Sequence, residues 1–181
     1  MSPNENLVHD MTAENNVQRR FIADGMVGRL ARWLRLIGND VEYPESCSDR
    51  ELTRRAMAEG RVLLTNDVEL YRHAISKNVD CFLVKGTTEA ERLAKVAGRY
   101  GLALEIDADK SRCTSCNALI RSLKKQDAAG RVMDSTFMAF DRFWECTNPD
   151  CGKVYWQGGH WENIEQHLNQ AKRILSRGAG S

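Results

Sequence analysis

Arg61-Val-Leu-Leu-Thr-Asn-Asp67 and Arg20-Phe-Ile-Ala-Asp24 carry the same pattern: a short apolar run that closes on an aspartate and gives way at once to a helical periodicity. Strands buried on both faces of a parallel sheet read as continuous apolar runs, and open α/β sheets present their functional groups at the C-terminal ends of the strands. If these two runs are neighbouring strands, the carboxylates of Asp24 and Asp67 converge on one edge. Convergent carboxylates suit a hard divalent cation such as Mg²⁺, which takes oxygen ligands and keeps water for chemistry on phosphates. Ordinary turn chemistry is the other reading: Asn66 or Asp67 caps the next helix, with Glu69 completing a capping box. For either aspartate alone the two readings stay open, and the pair together favours a site.

Between the two runs the chain is regular. Gly25 turns it into a helix from about Met26 to Ile37, whose apolar positions Met26, Leu30, Trp33, Leu34 and Ile37 have the three-four spacing of a core-facing stripe. The opposite side presents Arg29, Arg32 and Arg35. Such charges commonly form a solvated face, but they begin beside Asp24, and guanidinium forks match phosphate oxygens, so Arg29 and Arg32 are candidate substrate contacts. Gly38 stops the helix. Asp40-Val-Glu-Tyr43 is a second, weaker strand, and Ser48-Asp-Arg-Glu51 opens a helix with a capping box. Asp49 is a candidate third acid for the same edge, with Glu51 a weaker fourth.

After Asp67 come a helix through Leu70 and Ala74, a strand at Val79–Val84, a helix from Thr87 or Thr88 to about Tyr100 with Thr88 and Glu91 as a capping box, and a brief strand at Leu102–Ile106. Helices and strands alternate with short connections, the pattern of an α/β domain with a parallel sheet flanked by helices on both faces. This domain is expected over residues 19–106. Residues 1–18 are polar and without periodicity and are expected to form a flexible leader; residues 177–181, rich in glycine, are expected to form a flexible tail.

Residues 107–176 change character. Cys113-Thr-Ser-Cys116 and Cys146-Thr-Asn-Pro-Asp-Cys151 are two knuckles, each placing two thiolates on a tight turn, so that Cys113, Cys116, Cys146 and Cys151 enclose one tetrahedral Zn²⁺. A closed four-sulfur site has no open coordination position, so the zinc is read as structural. The second pair is C-x₄-C and the interval between knuckles is long, so an insertion around Arg121–Phe140 must be accommodated. Basic and aromatic side chains interleave here, a composition that stacks unpaired bases or fills a thin core. Packing is the expectation for Trp144 and Tyr155. Trp156, His160 and Trp161 stay open, and His160, after two glycines, is a candidate substrate contact. A last amphipathic helix, about Trp161–Leu175, is expected to dock on the body. Cys47 and Cys81 read as plain buried thiols.

Composition sets outer bounds. The chain has 181 residues, 42% of them hydrophobic, which is enough for a real core. No apolar run approaches the roughly 20 residues that span a bilayer, and residues 1–18 lack the apolar core of a signal peptide, so a soluble protein of the cytoplasm, without a membrane partner, is expected. The formal net charge is +1, so any nucleic-acid footprint has to be local.

Phe21-Ile-Ala-Asp-Gly-Met-Val-Gly-Arg-Leu-Ala-Arg-Trp-Leu-Arg-Leu-Ile-Gly38, Asp49-Arg-Glu-Leu52, Gly60-Arg-Val-Leu-Leu-Thr-Asn-Asp67, Cys113-x-x-Cys-Asn117, Cys151-Gly-Lys-Val-Tyr-Trp156 and Gly159-His-Trp161 resemble the Mut-seven C-terminal RNase family, a PIN-like nuclease fold with an appended zinc ribbon. The resemblance runs from about Phe21 to about Leu168. It implies metal-dependent hydrolysis of RNA phosphodiesters, with Asp24, Asp49 and Asp67 matching the acidic positions and holding Mg²⁺ or Mn²⁺. The implied partner is RNA, with the ribosome or tRNA as further targets to consider. Better-known PIN enzymes carry a fourth acid, for which only Glu51 or Glu69 is at hand. Two rivals remain: a non-catalytic module that binds RNA or the ribosome through its ribbon, and a phosphatase of small phosphate esters, against which the Asp24-Gly-Met sequence speaks because it lacks a second acid close behind the first.

Overall fold

The computed structural model describes residues 19–178; the expected leader lies outside them, as do residues 179–181. Four strands, β1 (Phe21–Ala23), β2 (Val41–Glu42), β3 (Val62–Thr65) and β4 (Cys81–Leu83), form a parallel sheet in the order β2-β1-β3-β4. Phe21 pairs with Val41 and Val62, and Ala23 with Leu64, so β1 and β3 are neighbours. The helices between them are α1 (Gly28–Leu36), entered through a 3₁₀ turn at Gly25–Val27, α2 (Asp49–Glu59), α3 (Val68–Ser76) and α4 (Glu89–Tyr100).

The strands are apolar throughout because both faces are covered. Alternate side chains point to opposite faces: Phe21, Ala23, Val62 and Leu64 pack with α1 and α4, whereas Ile22 and Leu63 pack with Leu52, Ala56, Leu70 and Ala74 of α2 and α3. Caps fix the helix starts. Ser48 Oγ accepts from Glu51 N and Thr88 Oγ1 from Glu91 N, as the sequence indicated. Gly60 ends α2 at φ +60°. Cys81 is buried, and burial pushes its thiol up to about 12; Cys47 is only half-buried and packs at the margin of the second core.

One expected strand is not formed. Leu102–Ile106 alternates like a strand but pairs with none among the described residues; it buries Leu104 in the core and leans Leu102 and Ile106 on it. The sheet among the described residues therefore ends at β4.

The second half builds a three-stranded antiparallel sheet from β5 (Ile120–Leu123), β6 (Phe143–Cys146) and β7 (Val154–Trp156). The insertion forms two short helices, α5 (Lys125–Ala128) and α6 (Asp134–Ala139). Its buried apolar cluster is small, Leu123, Ala128 and Phe143. The last helix, α7 (Trp161–Gly178), reaches two residues into the range expected as a tail and belongs to the first core. Leu168 and Ala171 are buried among α1 and α4 side chains, and His167 stacks on Trp33 with ring centroids 4.3 Å apart. Glycine inside α4 costs about 1 kcal/mol against alanine. At Gly98 contact explains it: a Cβ there would stand 2.8 Å from Leu175 Cδ1.

Candidate active site and metal centre

The two aspartates arrive where the strand pattern put them. Asp24 follows β1 and Asp67 follows β3, and Asp24 N donates to Leu64 O at 3.1 Å, which fixes the two strand ends side by side. Asp24 is 4% exposed. Its Oδ1 accepts from Met26 N at 2.6 Å, capping the 3₁₀ turn, and its Oδ2 accepts from the Thr65 hydroxyl. That hydroxyl oxygen in turn accepts from Asp67 N at 2.9 Å. Thr65, fully buried, thus joins the two acids, a role that nothing in its local sequence announces. Asp67 caps α3, with Oδ1 accepting from Glu69 N at 2.7 Å and Leu70 N at 3.1 Å. Capping and site are not exclusive here. A carboxylate offers about four lone-pair positions, so Asp24 keeps two, and both of Asp67's cap bonds fall on one oxygen.

The other acids stand apart. Asp49 is exposed in the first turn of α2, where its backbone oxygen accepts from Thr53 Oγ1 at 2.8 Å. Glu51 is taken by Arg54 at 2.6 Å, which holds its carboxyl below the usual range, and Glu69 by Arg72 at 2.6 Å. Among the described residues, the one group of three or more Cys, His, Asp or Glu side chains placed to share an ion is the cysteine quartet, so the three aspartates are not gathered about a single point. Arg29 and Arg32 are exposed on α1, which starts four residues after Asp24.

Arg35 is the departure on that helix: it is 4% exposed, not on the solvated face. Its Nε donates to Val41 O at 2.8 Å, and its Nη1 to Thr114 O at 3.0 Å and Ser115 O at 3.1 Å, inside the first cysteine knuckle. Burial lowers its pKa, and the neighbouring Cys113 and Cys116 sulfurs oppose that. Asn117, in the left-handed region at φ 70°, accepts from Val41 N at 3.0 Å and donates to Asp40 Oδ1 at 2.7 Å. The knuckle therefore grips the last turn of α1 and the start of β2, the sheet edge opposite the aspartates. Gly38 lies at φ +94°, and a Cβ there would stand 3.0 Å from Lys110 O.

At that lower edge Arg61, 7% exposed, meets Glu59 at 2.6 Å, Asp40 at 2.9 Å and Glu42 at 3.3 Å, and donates to Phe21 O at 3.1 Å. Burial works against ionising Asp40, but hydrogen bonds from Arg61 and Asn117 prevail and hold its carboxyl below the ordinary value. A cavity of about 950 Å³ opens here beside Arg19, Arg20 and Arg61. Its arginines are committed, Arg20 to Glu59 O and Arg19 to Asp80 at 3.5 Å, so its size does not make it the place of phosphate chemistry.

The four cysteine sulfurs lie within 4.8 Å of one another, with Cys113–Cys151 at 3.6 Å and Cys116–Cys146 at 3.3 Å. Tetrahedral zinc with Zn–S bonds of about 2.3 Å spaces its sulfurs about 3.8 Å apart, so the quartet fits that ion and could hold it, with no position left for substrate. Tyr155 Oη lies 3.0 Å from Cys113 Sγ. Burial opposes it, but this hydroxyl and the Ser115 and Cys116 amides bring the Cys113 thiol below its ordinary pKa, towards the thiolate that a metal needs. Trp144 is buried, as expected. His160 is exposed on the turn before α7, between Gln157 and Trp161, which line a slot against the ribbon; it sits with the ribbon.

The model of the Mut7-C RNAse domain family matches residues 19–168, and the chain belongs to that family. A nuclease-like, RNA-related function follows from the family's description. No match was found among the curated proteins or the solved structures compared with the chain. No helix among the described residues is long and apolar enough to cross a membrane.

Proposed function

We propose that this protein is a metal-dependent ribonuclease that hydrolyses RNA phosphodiester bonds at the C-terminal edge of its parallel sheet. The observation that carries this reading is the juxtaposition of Asp24 and Asp67 on adjacent strands, joined through Thr65. Two close carboxylates repel each other, and a fold that needed only caps has neutral alternatives in serine, threonine and asparagine. The free lone pairs of Asp24 and Asp67 suit Mg²⁺ or Mn²⁺; Asp49, apart from them on the exposed first turn of α2, is the third acid that the family resemblance implies. The bound ion would supply activation of water and stabilisation of the leaving oxygen. The chain's own part is positional: the caps at Met26, Glu69 and Leu70 hold the two strand-end carboxylates still, while Arg29 and Arg32 offer guanidinium forks to the RNA phosphates.

The test is Mn²⁺-dependent cleavage of a panel of structured and single-stranded RNAs by the zinc-loaded protein, beside Asp24→Asn and Asp67→Asn. Cleavage lost in both variants supports the reading. RNA or ribosome binding without cleavage in the native protein moves the function to a binding module.

A further inference from the structure

We propose that the slot between the ribbon sheet and the start of α7 holds one unpaired RNA base, a few nucleotides along the strand from the phosphate at the aspartate edge. The ligand class rests on the ribonuclease reading; the slot itself rests on separate observations. It has a volume of about 110 Å³, room for one planar heterocycle, and is walled by Trp144, Tyr155, Trp156, Trp161 and Leu36. Trp144 is buried and forms part of the floor, while Trp156, 36% exposed, stands at the mouth.

Arg112 gives the slot its polarity. Its Nη1 donates to Asn117 O at 2.9 Å, but its Nε is buried and has no partner. That Nε is closed to solvent, so Arg112 meets the slot through the rest of its guanidinium, a planar cation that stacks on ring systems, where an aliphatic side chain would gain little. A nucleobase stacks on aromatic rings and also carries carbonyl and ring-nitrogen acceptors in its plane. The Gln157 amide lies on the same lining. Arg142 sits 5.3 Å over the Trp144 ring and is in no ion pair among the described residues, so a cation is left for a flanking phosphate.

The path between slot and aspartates is a single helix. Positions 29, 32 and 36 lie on one stripe of α1; Arg29 and Arg32 are exposed and Leu36 lines the slot. α1 has nine residues, so its ends are about 13 Å apart. An RNA strand following this stripe meets the carboxylates at one end, two guanidinium groups along it and the aromatic slot at the other. Phosphate contacts fix register and the held base selects unpaired RNA.

The test uses the full zinc-loaded chain without added Mg²⁺ or Mn²⁺, so that binding is read without cleavage. Affinities for a single-stranded RNA hexamer and for a hexamer of the same backbone without bases are compared in the native protein, Trp156→Leu and Arg112→Lys. Trp156 is at the surface and lysine keeps the charge at 112; zinc content confirms that both variants are folded. The native protein is expected to prefer the base-bearing hexamer by at least about tenfold, and each variant to lose most of that preference with little change towards the baseless one. The slot is overturned by equal losses for both hexamers, by unchanged preference in both variants, or by no binding to either RNA. Cleavage by the same variants in Mn²⁺ separates the outcomes: a flat preference with cleavage intact removes the slot alone, and a clear preference in a protein that does not cleave leaves the slot and removes the ribonuclease.

Discussion

The two edges of the parallel sheet are built on opposite plans. At the N-terminal edge nearly every polar group has several fixed partners: Arg61 between three carboxylates, Asn117 bridging Asp40 and Val41, Arg35 holding the carbonyls of the first knuckle. At the C-terminal edge Asp24 and Asp67 are held by backbone amides and one hydroxyl, with no cation paired to either among the described residues. On the ribonuclease reading, a site for an ion and a phosphate must leave charge uncompensated, and that liability is confined to one edge while the other is overbuilt.

The largest disturbance of this division is expected from removing the zinc ion that the cysteine quartet could hold. Only three side chains form the buried cluster of the ribbon, whereas structural zinc contributes on the order of 10 kcal/mol in small metal modules. Chelation or Cys116→Ser is therefore expected to unfold the ribbon, seen as loss of the near-ultraviolet circular dichroism of Trp144, and to lower the melting temperature of the remainder. A ribbon whose tryptophan signal survives zinc loss would contradict this. Asp24→Asn and Asp67→Asn probe the other edge. Each is expected to lower Mn²⁺-dependent RNA cleavage more than about hundredfold while the urea midpoint moves little, because asparagine also accepts the capping hydrogen bonds.

Arg35→Ala is a milder break at the lower edge. It leaves the buried Val41 carbonyl and the part-buried Thr114 and Ser115 carbonyls without that donor, with an expected loss of about 1–3 kcal/mol in urea unfolding and no direct contact with the aspartates. A change in cleavage larger than the change in folded fraction would show that the two edges communicate. Asp40→Asn is expected to cost no more, about 1–3 kcal/mol at neutral pH. The folded carboxyl of Asp40 is depressed, so its contribution is present above the unfolded value of 3.8 and fades as the pH falls through the folded value. Urea midpoints of native protein and variant should therefore converge below about pH 3.8, and a gap that stays constant in acid would remove Asp40 from that role.

Much of the division could be read from the chain. Apolar runs ending in aspartate gave β1 and β3, capping boxes gave the starts of α2 and α4, and the two knuckles gave the cysteine quartet. What escaped was non-local. Arg35 repeats at helical spacing after Arg29 and Arg32, so periodicity places all three on one solvated face; its partners at Thr114 and Ser115 lie about eighty residues onward and are backbone oxygens, to which residue type is silent. Leu102–Ile106 has the right alternation but no neighbouring edge to pair with. Thr65 looked like one more β-branched strand residue, and only the pairing of β1 with β3 turns its hydroxyl into the link between the acids.

The position of α7 also orders events in time. Leu168 and Ala171 complete a core whose other walls, α1 and α4, are made more than sixty residues earlier. During synthesis the strands that carry Asp24 and Asp67 emerge long before the helix that seals the layer above them. The nascent chain must wait with an open apolar groove until the ribbon has passed, and contacts so distant along the chain make closure slow. A chain that ends before Trp161 thus carries both acids on an unfinished scaffold, so an RNA-cutting activity would mature only after the message that encodes it has been read into the last described helix.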